Sequence, residues 1–369
     1  MRLAWPPFRL TVYLIVIVSF TVLLLRSRPL RGTEGVEPLL FLDGLHQPRG
    51  LVAAPDGTLF VAEAGRAAAG EPATPGRVSH VTARNQSTVV LDGLAAASES
   101  QPLFAQSGPA ALALPTSAGA GTAAPGASRP LLFLGASDAA PLGTVARMVQ
   151  TDDSWSLTAT TAIGATGERP ASGPATAWGA QAAADGSVYV AMPLANLLLR
   201  LPPGAEGMPA AEAARAVTGF IGAGGSNPLP VGVALAPDGS VLVAHFGAAP
   251  FRPGGGRIVQ VEADGRWQPR VEGLSFPVAL AFGRDGQLYV LEFASGYDQA
   301  SGRFTPRSGR LISVGPQPGR RRIIVRDVHY PTSLVISAGG DAYFTENGVF
   351  SAPGQGRILM VPAPTLRGS

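Results

Sequence analysis

Glu63, His245, Glu292 and Glu346 share one position: each lies fifteen residues beyond a proline, at Pro48, Pro230, Pro277 and Pro331. Three carboxylates and an imidazole brought together have two chemistries. They can hold a hard divalent cation such as Ca²⁺, with ligand atoms ~2.3–2.6 Å from it, or they can move protons on a bound ligand. The plainer alternative is that the glutamates close structural ion pairs, with Arg66, Arg252 or Arg303 as candidates, and that His245 is a hydrogen-bonded structural histidine. Other polar and aromatic residues fall beside these positions: His46, Arg49, Trp178, His329, Tyr330 and Asn347. Arg49 suits either an anion or a tie between two elements. Arg49, Trp178, Tyr330 and Asn347 make a candidate ligand-binding face, and His245, Arg49, His46 and His329 are the candidate catalytic groups.

The elements that position these residues are copies of one unit. Eight residues after each proline comes a turn: Asp56-Gly57, Asp238-Gly239, Asp285-Gly286 and Gly339-Gly340. Ala177 in the proline place gives Asp185-Gly186 and, at the end, Met192. A sixth unit begins at Pro109, is interrupted by PTSAGAGTAAPGASRP, and resumes as LLFLGAS with Ala136 at the equivalent end. Glycine at the turn supplies the positive φ of a tight hairpin. Each unit adds a third strand, opened by Gly-Arg at Gly76, Gly256, Gly309 and Gly356, and by Gly143 and Asn196 in the other two. A fourth strand follows in five of them. The last unit lacks it, and EPLLFLDGL over residues 37–45 supplies it from the other end of the chain.

Six four-stranded units with an N-terminal strand closing the last one describe an all-β, six-bladed β-propeller. In that fold the first strands line a central channel and the ends of the second strands gather on the loop-rich face. The spacing therefore predicts a ring of Glu63, Ala136, Met192, His245, Glu292 and Glu346 at the channel mouth, walled by the loops after Glu63, His245 and Glu292. The insertion over residues 115–130 reads as a surface loop.

The chain has 369 residues, 46% apolar and 14% charged, with 47 Gly and 34 Pro, which suits short strands and turns. All 28 basic residues are arginine, and the net charge is +3. Five of those arginines lie within the first 31 residues, leaving 23 basic against 25 acidic residues beyond them. A nucleic-acid partner is not expected of so neutral a domain. There is no cysteine, so disulfides and thiolate metal sites are excluded. No phosphate-cradling loop, HExxH or G-x-S-x-G motif is present.

Leu10 to Leu25 is an uncharged apolar run flanked by arginines. Without small residues at a cleavage point, it reads as an uncleaved single-pass helix, making residues 1–31 a membrane anchor and residues 32–369 the propeller, placed outside the cytoplasm.

PRGLVAAPDGTLFVAEAGR and FPVALAFGRDGQLYVLEFASG, each with its following Gly-Arg strand, resemble repeats of the NHL and SMP-30/gluconolactonase propellers, and more closely the ScyD/ScyE family. The resemblance spans about residues 36–364 and implies fold more than activity. Lactonases of the SMP-30 kind hold a divalent metal with a Glu ahead of the first blade, where this chain has Gln47 and Arg49. Quinoprotein sugar dehydrogenases share the flavour of Val61 to Arg66; resemblance to them implies pyrroloquinoline quinone, a channel histidine as base and cationic partners. The readings open at this point are a propeller that binds a small molecule, carbohydrate or protein on its loop-rich face, and a sugar dehydrogenase or metal-dependent lactonase working at the channel.

Overall fold

In a computed structural model, the chain is described over residues 35–99, 103–115, 130–135, 143–152, 154–163, 176–220, 226–315 and 319–367. The run from Leu10 to Leu25 and most of the 115–130 insertion lie outside the described residues. Among the described residues no helix is long and apolar enough to cross a membrane.

The recurring spacing is a hairpin register. Pro48 pairs with Glu63, Pro230 with His245 and Pro277 with Glu292, so proline and acidic or imidazole residue stand opposite each other at one end of each hairpin. At the other end Gly57, Gly186, Gly239, Gly286 and Gly340 all have positive φ, between 75° and 92°. The Asp before the glycine fixes the turn by accepting a backbone N–H two residues on, as Asp238 does from Ser240 at 2.9 Å.

Six four-stranded antiparallel sheets result. Blade 1 comprises Pro48–Ala53, Leu59–Glu63, Gly76–Ala83 and Gln86–Leu94. Blade 2 comprises Pro109–Ala113, Leu131–Leu134, Thr144–Thr151 and Ser154–Ala162. Blade 3 runs Gly179–Ala182, Val188–Met192, Leu197–Leu201 and Arg215–Gly219, and blade 4 Pro230–Leu235, Val241–His245, Gly256–Val261 and Trp267–Leu274. Blade 5 is Pro277–Phe282, Leu288–Glu292, Gly309–Val314 and Arg321–Val328. Blade 6 takes Leu334–Ile336, Ala342–Glu346 and Gly356–Val361 from the end of the chain, and Leu39–Leu45 from its beginning. Leu42 and Leu45 of that closing strand are buried against Ile358 and the neighbouring blade 1. The predicted closure is therefore the observed one, and it supplies blade 6 with its fourth strand from the other end of the chain.

The core lies between blades. Alternate residues of each second strand face opposite neighbours: Leu59 and Val61 pack with Tyr343 and Ile358 of blade 6, whereas Phe60 and Ala62 pack with Leu112 and Leu132 of blade 2. Glycine opening the third strand has a steric cause. A methyl group on Gly256 would come within 2.2 Å of Pro277 Cδ in the next blade, and one on Gly356 within 2.4 Å of Pro48 Cδ. Gly-Arg and the strand-opening proline are thus two halves of one inter-blade contact.

Candidate functional site

The parity that packs Val61 toward blade 6 also carries Glu63 there. Glu63 is fully buried and accepts the backbone N–H of His46, the residue after the closing strand of blade 6, at 2.6 Å. Its other partners are Ser79 Oγ and Arg77, whose Nε is 2.9 Å away. Glu292 repeats the pattern: Ser275, just past the outer strand of blade 4, donates its N–H at 2.7 Å, and Arg310 closes an ion pair at 2.5 Å. Glu346 accepts from His329 N at 3.1 Å and faces Arg357 at 3.5 Å. Each glutamate is a latch between its own blade and the preceding one. Each pairs with the arginine of its own Gly-Arg strand opening, Arg77, Arg310 or Arg357, and Arg66 pairs instead with Glu71 and Glu99.

His245 occupies the same seam position in blade 4, with Arg257 as its cross-strand partner. Its ring lies edge-on to Phe220 of blade 3 at 4.5 Å and near Trp267 at 5.6 Å. Neither ring nitrogen has a hydrogen-bond partner, and burial, helped by the charge on Arg257, pulls its pKa down to about 3. It is a neutral aromatic filler at every ordinary pH. Met192 packs in the core of blades 2 and 3, and Ala136 lies outside the described residues.

The structure therefore does not bring Glu63, His245, Glu292 and Glu346 together. Among the described residues no three of His, Asp and Glu stand close enough to hold a metal ion. The donors needed for Ca²⁺ are separated into seams and already occupied. His245 is sealed in its seam, and among the described residues no histidine or carboxylate lines the central cavity.

The other predicted residues form two groups. In the first, Arg49 is 2% exposed and sets its guanidinium 5.7 Å from the centre of the Trp178 ring, at the start of blade 3. Gln106 Oε1 accepts from Arg49 Nη2; Arg49 Nε, Arg49 Nη1 and Trp178 Nε1 are buried without partners. Burial with no carboxylate beside it pulls the Arg49 guanidinium down to about 9.

In the second group, the loops after His245 and Glu292 fold onto one another. Phe251, Phe276, Phe293, Tyr297 and Phe304 form an aromatic floor, and Tyr330 stacks on Phe293 at 5.2 Å and donates its hydroxyl to Phe304 O at 2.8 Å. His329 lies 4.4 Å from Tyr330, and its Nδ1 is 2.8 Å from Asn347 Oδ1. Asn347 Nδ2 donates to Gln355 O, so Oδ1 is the acceptor and His329 carries its proton on Nδ1, leaving Nε2 as an acceptor. Burial lowers the His329 pKa, which keeps that neutral form. Sequence reasoning missed Phe350, 54% exposed, whose ring meets Tyr330 edge-on at 5.5 Å, and Gln106. Neither sits at a repeated offset.

No family model matches the chain, and no curated protein matches it by sequence. Solved propellers do resemble it in three dimensions. An oxidoreductase described as a glucose dehydrogenase, from Thermus thermophilus, superposes with a TM-score of 0.57 at 19% identity over 89% of this chain and 100% of that one. The pyrroloquinoline-quinone-bound aldose sugar dehydrogenase of Streptomyces coelicolor gives 0.56 at 14% identity over 88% and 96%. A gluconolactonase of Xanthomonas campestris gives 0.54 at 14% identity over 88% and 89%. At these identities the likeness is one of fold: the chain is an all-β six-bladed propeller with neighbours in the sugar dehydrogenase and gluconolactonase groups.

Proposed function

We propose that the protein is a ligand-binding propeller, held at a membrane by its apolar N-terminal segment with the propeller outside the cytoplasm, and that its loop-rich face takes a carbohydrate. The observation that carries the reading is Phe350. Its ring is 54% exposed and its backbone sits at φ +57°, a region that costs a bulky residue about 1 kcal/mol or more. Strain kept in order to hold an aromatic ring in water marks a recognition surface.

Its surroundings suit a sugar. Phe350 and Tyr330 offer an aromatic corner for the apolar face of a pyranose ring, and His329 Nε2 offers a hydroxyl acceptor beside it. A binding role is favoured over catalysis because the acidic side chains are engaged as latches and the cavity lining has no ionisable group. The sugar-handling names of the structural neighbours agree in ligand class.

Affinity electrophoresis of the full chain in detergent against a panel of soluble polysaccharides tests the proposal. Retardation by at least one of them is expected, weakened severalfold by Phe350→Ala with an unchanged melting temperature. No retardation by any, or equal retardation of the variant, overturns it.

A further inference from the structure

The residues that follow the strand-opening prolines and Ala177 occupy equivalent places in the six blades: Arg49, Ala110, Trp178, Val231, Val278 and Thr332, all buried. Trp178, Val278 and Thr332 of these line the channel. Below them runs a cavity of about 560 Å³, walled by the six first strands from Gly50, Gly179 and Gly232 down to Pro55, Ala184 and Ala338 beside the Asp-Gly turns. Its volume falls in the range of small-molecule sites, roughly 300–1,000 Å³.

The end at Trp178 is chemically one-sided. Trp178 lines the cavity, its Nε1–H is buried and unpartnered, and Arg49 lies against its ring with Nε and Nη1 likewise unpartnered. Every unsatisfied group in this pair is a donor, and one of them is a cation. Elsewhere in the fold the strand-opening arginines Arg77, Arg310 and Arg357 each face a carboxylate, whereas Arg49 has no carboxylate partner among the described residues. Leaving such a charge uncompensated in the interior is costly.

The walls carry a second requirement. Each first strand is the edge of its sheet, so its free backbone edge faces the channel, and glycines and alanines leave that edge uncovered. Such walls complement hydroxyls, which both donate and accept.

We propose that this channel binds a small oxyanion, a carboxylate or phosphate carried on a hydroxylated body, entering from the Asp-Gly turn side with its anionic head against Arg49 and Trp178. The site lies inside the ring, and it stands or falls independently of sugar binding at Phe350.

Three probes share one body and differ in the head: glucose, glucuronate and glucose 6-phosphate. Thermal unfolding of the full chain in detergent, at matched ionic strength, should show a concentration-dependent rise with one or both anions and none with glucose, because only the folded state binds. Which anion acts separates carboxylate from phosphate. Arg49→Met should melt no lower than the wild type and lose the anion response. Trp178→Phe, which keeps the aromatic bulk and removes one donor, should weaken the apparent affinity at least severalfold. The proposal is overturned if neither anion shifts the wild type, if Arg49→Met retains the shift, if Arg49→Met fails to fold, or if Trp178→Phe responds as the wild type does.

Discussion

Glu292 and Arg310 are register partners on adjacent strands of blade 5, joined at 2.5 Å, and the same carboxylate holds the backbone N–H of Ser275 at the end of blade 4. One buried side chain thus ties two strands and two blades. Glu292→Gln removes the charge and leaves Arg310 facing an amide, at an expected cost of about 2–3 kcal/mol. Glu346→Gln should cost under about 1 kcal/mol, because Arg357 is half exposed and 3.5 Å away. Denaturant unfolding of both variants, with a double-mutant cycle on Glu292 and Arg310, measures the difference, and equal costs would contradict the latch. Ca²⁺ should rescue neither.

His245 sets an acid sensitivity. Its folded pKa is about 3 against an ordinary 6.5, so both states are neutral at pH 7 and the group adds no pH dependence there. As pH falls below 6.5, the unfolded chain takes up a proton that the buried ring cannot, and stability is lost progressively toward pH 3. Each pH unit in that window is worth about 1.4 kcal/mol. His245→Phe should flatten the profile over the same window while leaving the melting temperature at pH 7 within a few degrees. His46, His80 and His329, also lowered by burial, keep part of the slope. An unchanged profile in His245→Phe would count against the assignment.

The Gly-Arg opening makes a steric prediction. Gly256→Ala drives a methyl group into Pro277 of the next blade and should cost about 1–3 kcal/mol, as overpacking does. Gly207→Ala is the control, since a Cβ there meets nothing within 4 Å and Gly207 does not have positive φ. It should change stability by no more than about 0.5 kcal/mol. Chemical denaturation of the pair reads the contrast directly.

Closure by Leu39–Leu45 predicts that its buried side chains matter to the whole ring. Leu45, 2% exposed, lies at the join of blades 6 and 1, and Leu45→Ala should cost about 2–5 kcal/mol. Removing the strand leaves blade 6 with three strands and should abolish the cooperative transition. A truncated chain that still unfolds in one sharp step would refute the closure.

The sequence alone determined the ring, because a propeller is written locally: proline, Asp-Gly and glutamate fall at fixed offsets with a Gly-Arg strand opening after them, and hairpin register depends only on residues a few positions apart. Even the join between the chain's two ends was legible, as a missing fourth strand and a spare one. What the tertiary structure decided was direction and company. Whether Glu63 turns to the channel or the seam depends on which blades flank it, and the alternation along Leu59–Glu63 sends it toward blade 6, where the backbone N–H of His46 awaits, with Arg77 of its own blade alongside. Arg49 of blade 1 meets Trp178 at the start of blade 3, and no offset records that. Strand register pairs each of these glutamates with the arginine of its own blade, whereas the backbone N–H that it latches comes from the preceding blade, which only the closed ring brings alongside.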